Sequence, residues 1–133
     1  MQKAFVTGAS GFIGSAVARE LLRDGVAVRV LMRKGADHTA IKGLDVEVIE
    51  GDVLDTAALA KGLVGCDACF HVAGMTKISL RGSVDVRRMY DANERGAAMV
   101  LRVAAEAGCT RIVHTSPIAV LAPRKDGTPS NEG

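Results

Sequence analysis

Ala4-Phe5-Val6-Thr7-Gly8-Ala9-Ser10-Gly11-Phe12-Ile13-Gly14 decides how the rest of the chain is read. A short apolar run is cut by Gly8, and from Phe12 to Asp24 the apolar residues Ile13, Ala16, Val17 and Leu21 recur at helical spacing. Arg19, Arg23 and Asp24 take the other side, and Gly25 closes the helix. The unit is therefore strand, glycine turn, helix. A phosphate group needs hydrogen-bond donors without steric bulk, and the N-terminus of a helix presents free N–H groups and a favourable dipole. Gly8 suits a sharp exit from the strand, Gly11 a close approach of backbone to a pyrophosphate, and Gly14 tight packing of helix on sheet. Ser10, Phe12 and Ile13 complete the candidate contact set.

Outward from this unit, short β-branched runs alternate with helical patterns. Residues 27–32 read as the second strand, 45–49 as the third, 67–72 as the fourth and 111–115 as the fifth. A short helix is expected from about Thr56 to Gly62 after Asp55, which is placed to cap it. A long helix is expected over 84–107, stopped by Gly108. Strands alternating with helices imply right-handed crossovers and an α/β, doubly wound parallel sheet in the order 3-2-1-4-5. Residues 1–122 form the expected domain. Residues 123–133, rich in Pro, Gly, Ser and Asn, read as a loop leading onward.

The totals exclude several function classes. The 133 residues are 48% apolar and 24% charged, an ordinary globular mixture, and with 3% aromatics the core must be aliphatic. A net charge of +2, without a basic stripe, gives no case for a nucleic-acid partner. No apolar run reaches the roughly 20 residues of a membrane span, and the first residues carry no signal-peptide pattern. Three cysteines, Cys66, Cys69 and Cys109, make a disulfide framework an unfavourable reading and suit a reducing cytoplasm. Cys66-Asp67-Ala68-Cys69 has the spacing of a redox pair or half a zinc site. Without a second such pair, and with alternation expected to send the two thiols to opposite faces, the preferred reading is small residues entering a buried strand. No metal site is expected.

The glycine spacing is GxxGxxG. Thr7-Gly8-Ala9-Ser10-Gly11-Phe12-Ile13-Gly14 resembles the opening of the extended short-chain dehydrogenase/reductase family, which includes nucleotide-sugar epimerases and dehydratases and dihydroflavonol-reductase-like enzymes. The resemblance implies a Rossmann-type domain and a nicotinamide dinucleotide as cofactor. Nicotinamide enzymes that take NAD commonly end the second strand with an acidic residue for the ribose 2′-hydroxyl. Here Met32 stands at that position and Arg33 and Lys34 follow. A guanidinium pairs well with a 2′-phosphate, so NADP is expected in preference to the alternative, NAD.

Further positions follow from the same resemblance. Glu50-Gly51-Asp52-Val53-Leu54-Asp55 matches the family's Gly-Asp segment, which places Asp52 beside the adenine amino group and Val53 against the ring. His71-Val72-Ala73-Gly74 matches a His-x-Ala-Ala stretch, so Ala73 and Gly74 fall where small residues admit a ribose, while His71 reads as structural. Asn93 and Gly96 match an Asn-x-x-Gly on the long helix, where the Asn bonds backbone.

The family's chemistry uses a tyrosine, a lysine four residues later, and a Ser or Thr after the fifth strand. Here Pro117 stands at the best match for that serine, leaving Ser116 and Thr115 as the neighbouring hydroxyls, with Thr115 also able to face the nicotinamide. The single tyrosine, Tyr90, is followed four residues on by Glu94. The expectation is the cofactor-binding part of an oxidoreductase or nucleotide-sugar epimerase/dehydratase, lacking the C-terminal substrate region and inactive alone. The alternative is a non-catalytic dinucleotide-binding or redox-sensing module. The apolar Ile112 and Val113 of the fifth strand, and Met89, Ala92, Met99, Val100 and Val103 on the long helix, suggest a homodimer or other self-association.

Overall fold

The computed structural model describes residues 1–75, 82–117 and 124–128. Strands β1 (Lys3–Thr7), β2 (Ala27–Met32), β3 (Val46–Glu50), β4 (Ala68–His71) and β5 (Arg111–His114) form one sheet. Every neighbouring pair is parallel and the order is β3-β2-β1-β4-β5, as the alternation of elements predicts. Helix α1 (Phe12–Arg23) joins β1 to β2, and α2 (Thr56–Leu63) joins β3 to β4. Between β4 and β5 come α3 (Gly82–Tyr90), a π turn (Asp91–Arg95) and α4 (Gly96–Glu106). The boundary expected at residue 122 lies outside the described residues.

Both faces of the sheet are covered, as a parallel sheet requires. Side-chain alternation along β1 sends Phe5 to one flank and Ala4 and Val6 to the other. Phe5 meets Leu59 and Leu63 of α2 and Val100 and Val103 of α4, while Val6 joins Ala18 and Leu21 of α1. Asp55 caps α2, its Oδ1 accepting the Ala58 N–H at 3.0 Å. Helix α1 ends with Val26 N–H on Leu21 O and Gly25 N–H on Leu22 O. Helix α4 ends in the same way, with Cys109 N–H on Ala104 O and Gly108 N–H on Ala105 O.

One residue of β2 binds the far end of α2. Arg29 is buried, and its Nη1 donates to Gly62 O at 2.7 Å and Val64 O at 2.9 Å, carbonyls that the helix end leaves unpaired. Its Nε lies 2.8 Å from Glu47 Oε2, an ion pair without hydrogen-bond alignment. This guanidinium, with Lys3 after it, holds the Glu47 carboxyl below its ordinary pKa.

Three expectations need correction. The buried stripe of α1 is Gly14, Ser15, Ala18 and Leu21, whereas Ile13 and Ala16 are exposed. Gly14 rests on the backbone of Gly8, and that contact sets the rotation of the helix. The long helix is interrupted by the π turn, where Gly96 N–H reaches back five residues to Asp91 O. Cys66 and Cys69 lie on the same flank, with Cys109 packed beside them, because Cys66 precedes the strand and escapes its alternation. Burial pushes the Cys69 thiol up to about 12 and raises Cys66 and Cys109 as well, so all three are protonated at neutral pH.

Candidate dinucleotide site at the carboxyl edge

Five parallel strands put five following loops on one edge of the sheet. The Gly8–Gly14 turn follows β1, Arg33 and Lys34 follow β2, Gly51–Val53 follow β3, Val72–Met75 follow β4, and Thr115 and Ser116 follow β5. Topology alone therefore gathers the expected site residues.

The glycine turn is built tightly. Gly8 has φ +76°, and a Cβ there would stand 2.7 Å from the Ala73 nitrogen. A Cβ at Gly14 would overlap the Gly8 carbonyl oxygen. Gly11 differs from both. Its φ is −93° and its ψ 172°, ordinary extended backbone, and a Cβ would sit 3.4 Å from Gly8 O. No neighbouring atom among the described residues demands glycine at this position. Gly11 is also the N-cap of α1 and supplies no side-chain cap. Ser15 N–H bonds Gly11 O, and no hydrogen bond is made by the N–H groups of Phe12, Ile13 and Gly14 among the described residues. Ser10, Phe12 and Ile13 are all exposed.

Thr7 locks this turn to β4. Its Oγ1 accepts the Val72 and Ala73 N–H groups at 3.2 and 3.1 Å. The hydroxyl proton is then directed to His71 Nδ1, 2.7 Å away. The His71 ring is fully buried and stacks on His114, with centroids 5.1 Å apart and planes at 12°. Its Nε2 has no hydrogen-bond partner among the described residues. Burial, and then the charge of His114, lower its pKa to about 4, so the ring is neutral at physiological pH. His71 is thus a structural residue that holds Thr7. Its wider connection, to Val72 and Ala73 through that hydroxyl, has no signature in the spacing of residues.

The remaining positions fall as follows. Asp52 is half-buried, and its Oδ1 accepts the Leu54 N–H at 3.0 Å, which fixes the carboxylate with one oxygen to spare. Val53 departs from expectation. Its side chain is in the core and a Cβ on Gly96 would meet it at 2.6 Å, so it does not offer itself to a ring. Its N–H, which bonds nothing among the described residues, is what remains at the edge. Arg33 and Lys34 are exposed, on a turn closed by Ala36 N–H to Arg33 O at 2.9 Å. Gly51 N–H bonds Met32 O at 2.9 Å, drawing the β2 and β3 loops together. Gly74 is exposed and Ala73 half-buried. Asn93, in the π turn, accepts the Met75 N–H at 2.7 Å and donates to Met75 O at 2.9 Å, bracing the β4 loop. Thr115 N–H bonds His71 O at 3.0 Å, and both Thr115 and Ser116 are exposed.

Two concavities of about 400 and 410 Å³ lie elsewhere, one beside β3 with Asp37, Ile41 and Val48 in its wall, the other at the opposite end of the sheet around Gln2 and Asp67. Among the described residues no three His, Cys, Asp or Glu side chains are placed to hold a metal, and no helix is long and apolar enough to cross a membrane.

The parallel order and the glycine-turned helix together define a Rossmann-type α/β domain. The chain belongs to the NAD dependent epimerase/dehydratase family, whose model matches residues 4–133. It is 35% identical over 127 residues to sterol demethylase protein B of Methylococcus capsulatus, a match covering 96% of this chain and 38% of that protein. It is 33% identical to a putative dihydroflavonol 4-reductase of Synechocystis, over 96% of this chain and 36% of the relative. The crystal structure of gox2253 superposes with a TM-score of 0.85 at 37% identity, covering 97% of this chain and 38% of that one. A short-chain dehydrogenase/reductase superfamily protein from Agrobacterium tumefaciens with bound NAD gives a TM-score of 0.71 at 29% identity, covering 86% of this chain and 32% of that one. The chain spans a little over a third of the length of these curated relatives.

Proposed function

We propose that this chain is the dinucleotide-holding part of a nicotinamide-dependent reductase or nucleotide-sugar epimerase/dehydratase, with NADP preferred over NAD. The observation that carries the reading is Gly11. It is bare although the described residues leave room for a Cβ, and it stands before three N–H groups that find no acceptor among those residues. A pyrophosphate accounts for both facts: its oxygens take the N–H groups, and its bulk requires the missing side chain.

The neighbouring groups suit the rest of such a molecule. The free oxygen of Asp52 and the free N–H of Val53 form an acceptor beside a donor. That pair matches the amino group and ring nitrogen on the edge of adenine. Arg33 and Lys34 offer cations to a 2′-phosphate and no carboxylate to repel it. Ala73 and Gly74 are small enough to admit the second ribose, and the exposed Thr115 would face the nicotinamide of a bound cofactor. When bound, the cofactor supplies hydride transfer to or from the carbon of a carbonyl or hydroxyl group. The residues of this chain bind and orient it, with Ser116 and Thr115 the hydroxyls at that end. The resemblance to the family assigns the proton at the substrate oxygen to a tyrosine–lysine pair, and the reading places that pair outside these 133 residues. A second reading, a dinucleotide-binding or redox-sensing module without catalysis, is favoured by Glu94 standing four residues after the single tyrosine. A cytoplasmic setting suits three free thiols under either reading.

Gly11→Val separates a ligand role from a structural one. The expected outcome is at least a tenfold loss of NADP affinity by calorimetry, with the melting temperature moved by no more than a few degrees. Unchanged affinity would contradict the reading.

A further inference from the structure

Arg19 of α1 hydrogen-bonds the loop that carries Arg33 and Lys34. Arg19 Nη2 donates to Ala40 O at 2.6 Å, and its Nη1 donates to Ser15 Oγ at 3.3 Å. The Ser15 hydroxyl in turn donates to Phe12 O at 3.0 Å, in the first turn of the helix. A continuous hydrogen-bonded line therefore runs from the pyrophosphate end of α1, through Ser15 and Arg19, to the segment after β2.

That segment behaves as a built arm. From Met32 it turns at Arg33–Ala36, and Asp37 Oδ1 then accepts both the N–H and the hydroxyl of Thr39, at 2.8 and 2.6 Å. A single 3-10 turn, Thr39–Ile41, ends with Ile41 buried against the α1 flank. The side chains of Arg33 and Lys34 make no ion pair among the described residues, so their placement depends on the backbone of the arm. The arm is anchored at the sheet by Met32, in the middle by Ala36 packed on the α1 flank, and at the far end by Arg19 with Ile41.

We infer that Arg19 is a positioning residue for cofactor choice: by gripping Ala40 it holds Arg33 and Lys34 where a 2′-phosphate arrives. The inference rests on the NADP reading of Arg33 and Lys34. A fork of donors is needed because one guanidinium must satisfy a carbonyl on the arm and a hydroxyl on the helix together. An ammonium in its place reaches the carbonyl and keeps the charge, but does not splint both partners.

The test is a set of dissociation constants for NADP, NAD, adenosine 2′,5′-bisphosphate and 5′-AMP, measured on the full chain and on Arg19→Met and Arg19→Lys. Arg19→Met should weaken NADP and the bisphosphate five- to tenfold while NAD and 5′-AMP change less than twofold, and Arg19→Lys should recover part of the loss. Equal weakening of all four ligands assigns Arg19 a purely structural role and overturns the inference, as does no weakening. The wild-type chain judges the parent reading separately: NAD bound as tightly as NADP refutes the assignment of Arg33 and Lys34. The positioning role then still requires Arg19→Met to change the NADP:NAD ratio at least threefold, and an unchanged ratio rejects it.

Discussion

His71 shows how much a single side chain can depend on being neutral. Its Nδ1 accepts a hydrogen bond from the Thr7 hydroxyl, whose oxygen already accepts the Val72 and Ala73 N–H groups, so a proton on that nitrogen sets a third donor against the same oxygen. The folded ring titrates near 4 against an ordinary value of 6.5. The unfolded chain therefore takes up the proton first as the pH falls. Stability from this residue is complete above about pH 6.5 and is lost progressively down to pH 4, by about 3 kcal/mol in all. The lowered carboxyls of Asp37, Glu47 and Asp67 contribute their own loss at still lower pH. Urea denaturation at a series of pH values should show the slope between 6.5 and 4 in the wild type and a flatter one in His71→Gln; equal slopes would show that the ring is not the cause. At this scale the sequence was half legible. The glycines of the turn could be read from spacing, and the Asn93 brace followed from the family resemblance. The fate of Val53 could not be read, because a residue three places past a strand faces core or edge according to how Gly96 lets the helix approach.

Helix α2 illustrates the scale of elements. Its start was legible, since Asp55 before Thr56 is a capping pattern, and the structure closes that cap. Its end was not, because the carbonyls of Gly62 and Val64 are satisfied by Arg29, more than thirty residues away in β2. Periodicity finds elements; it does not report which polar groups cross between them. Arg29→Met keeps the bulk of the stem and removes the donors, leaving those carbonyls short of partners. The expected cost is about 2–3 kcal/mol in a denaturant titration, against less than about 1 kcal/mol for the exposed Arg23→Met. A cost below 1 kcal/mol for Arg29→Met would show that water replaces the guanidinium. A continuous helix was the natural expectation from the apolar pattern, and the interruption at Asp91–Arg95 falls where Asn93 turns to bond Met75.

For the whole molecule, the order of strands was legible because alternating elements and right-handed crossovers leave few arrangements. The association surface was less so. Val100 and Val103, expected on a face between copies, are spent in the core against α2 and β1. Apolar exposure remains on β5, with Ile112 at 36% and Val113 at 43%, and on α3 at Val84. We therefore expect self-association through the β5 edge or α3, read by light scattering as a mass above 13.8 kDa at micromolar concentration; a strict monomer at 100 micromolar would count against it. The central claim, that the carboxyl edge holds a nicotinamide dinucleotide and selects it through Arg33 and Lys34, is tested most directly by calorimetric titration of NADP and NAD into the wild-type chain and Arg33→Asp. The account predicts that the wild type binds NADP at least tenfold more tightly than NAD and that Arg33→Asp erases or reverses the difference. Binding of neither dinucleotide, or NAD bound as tightly as NADP by the wild type, would contradict it.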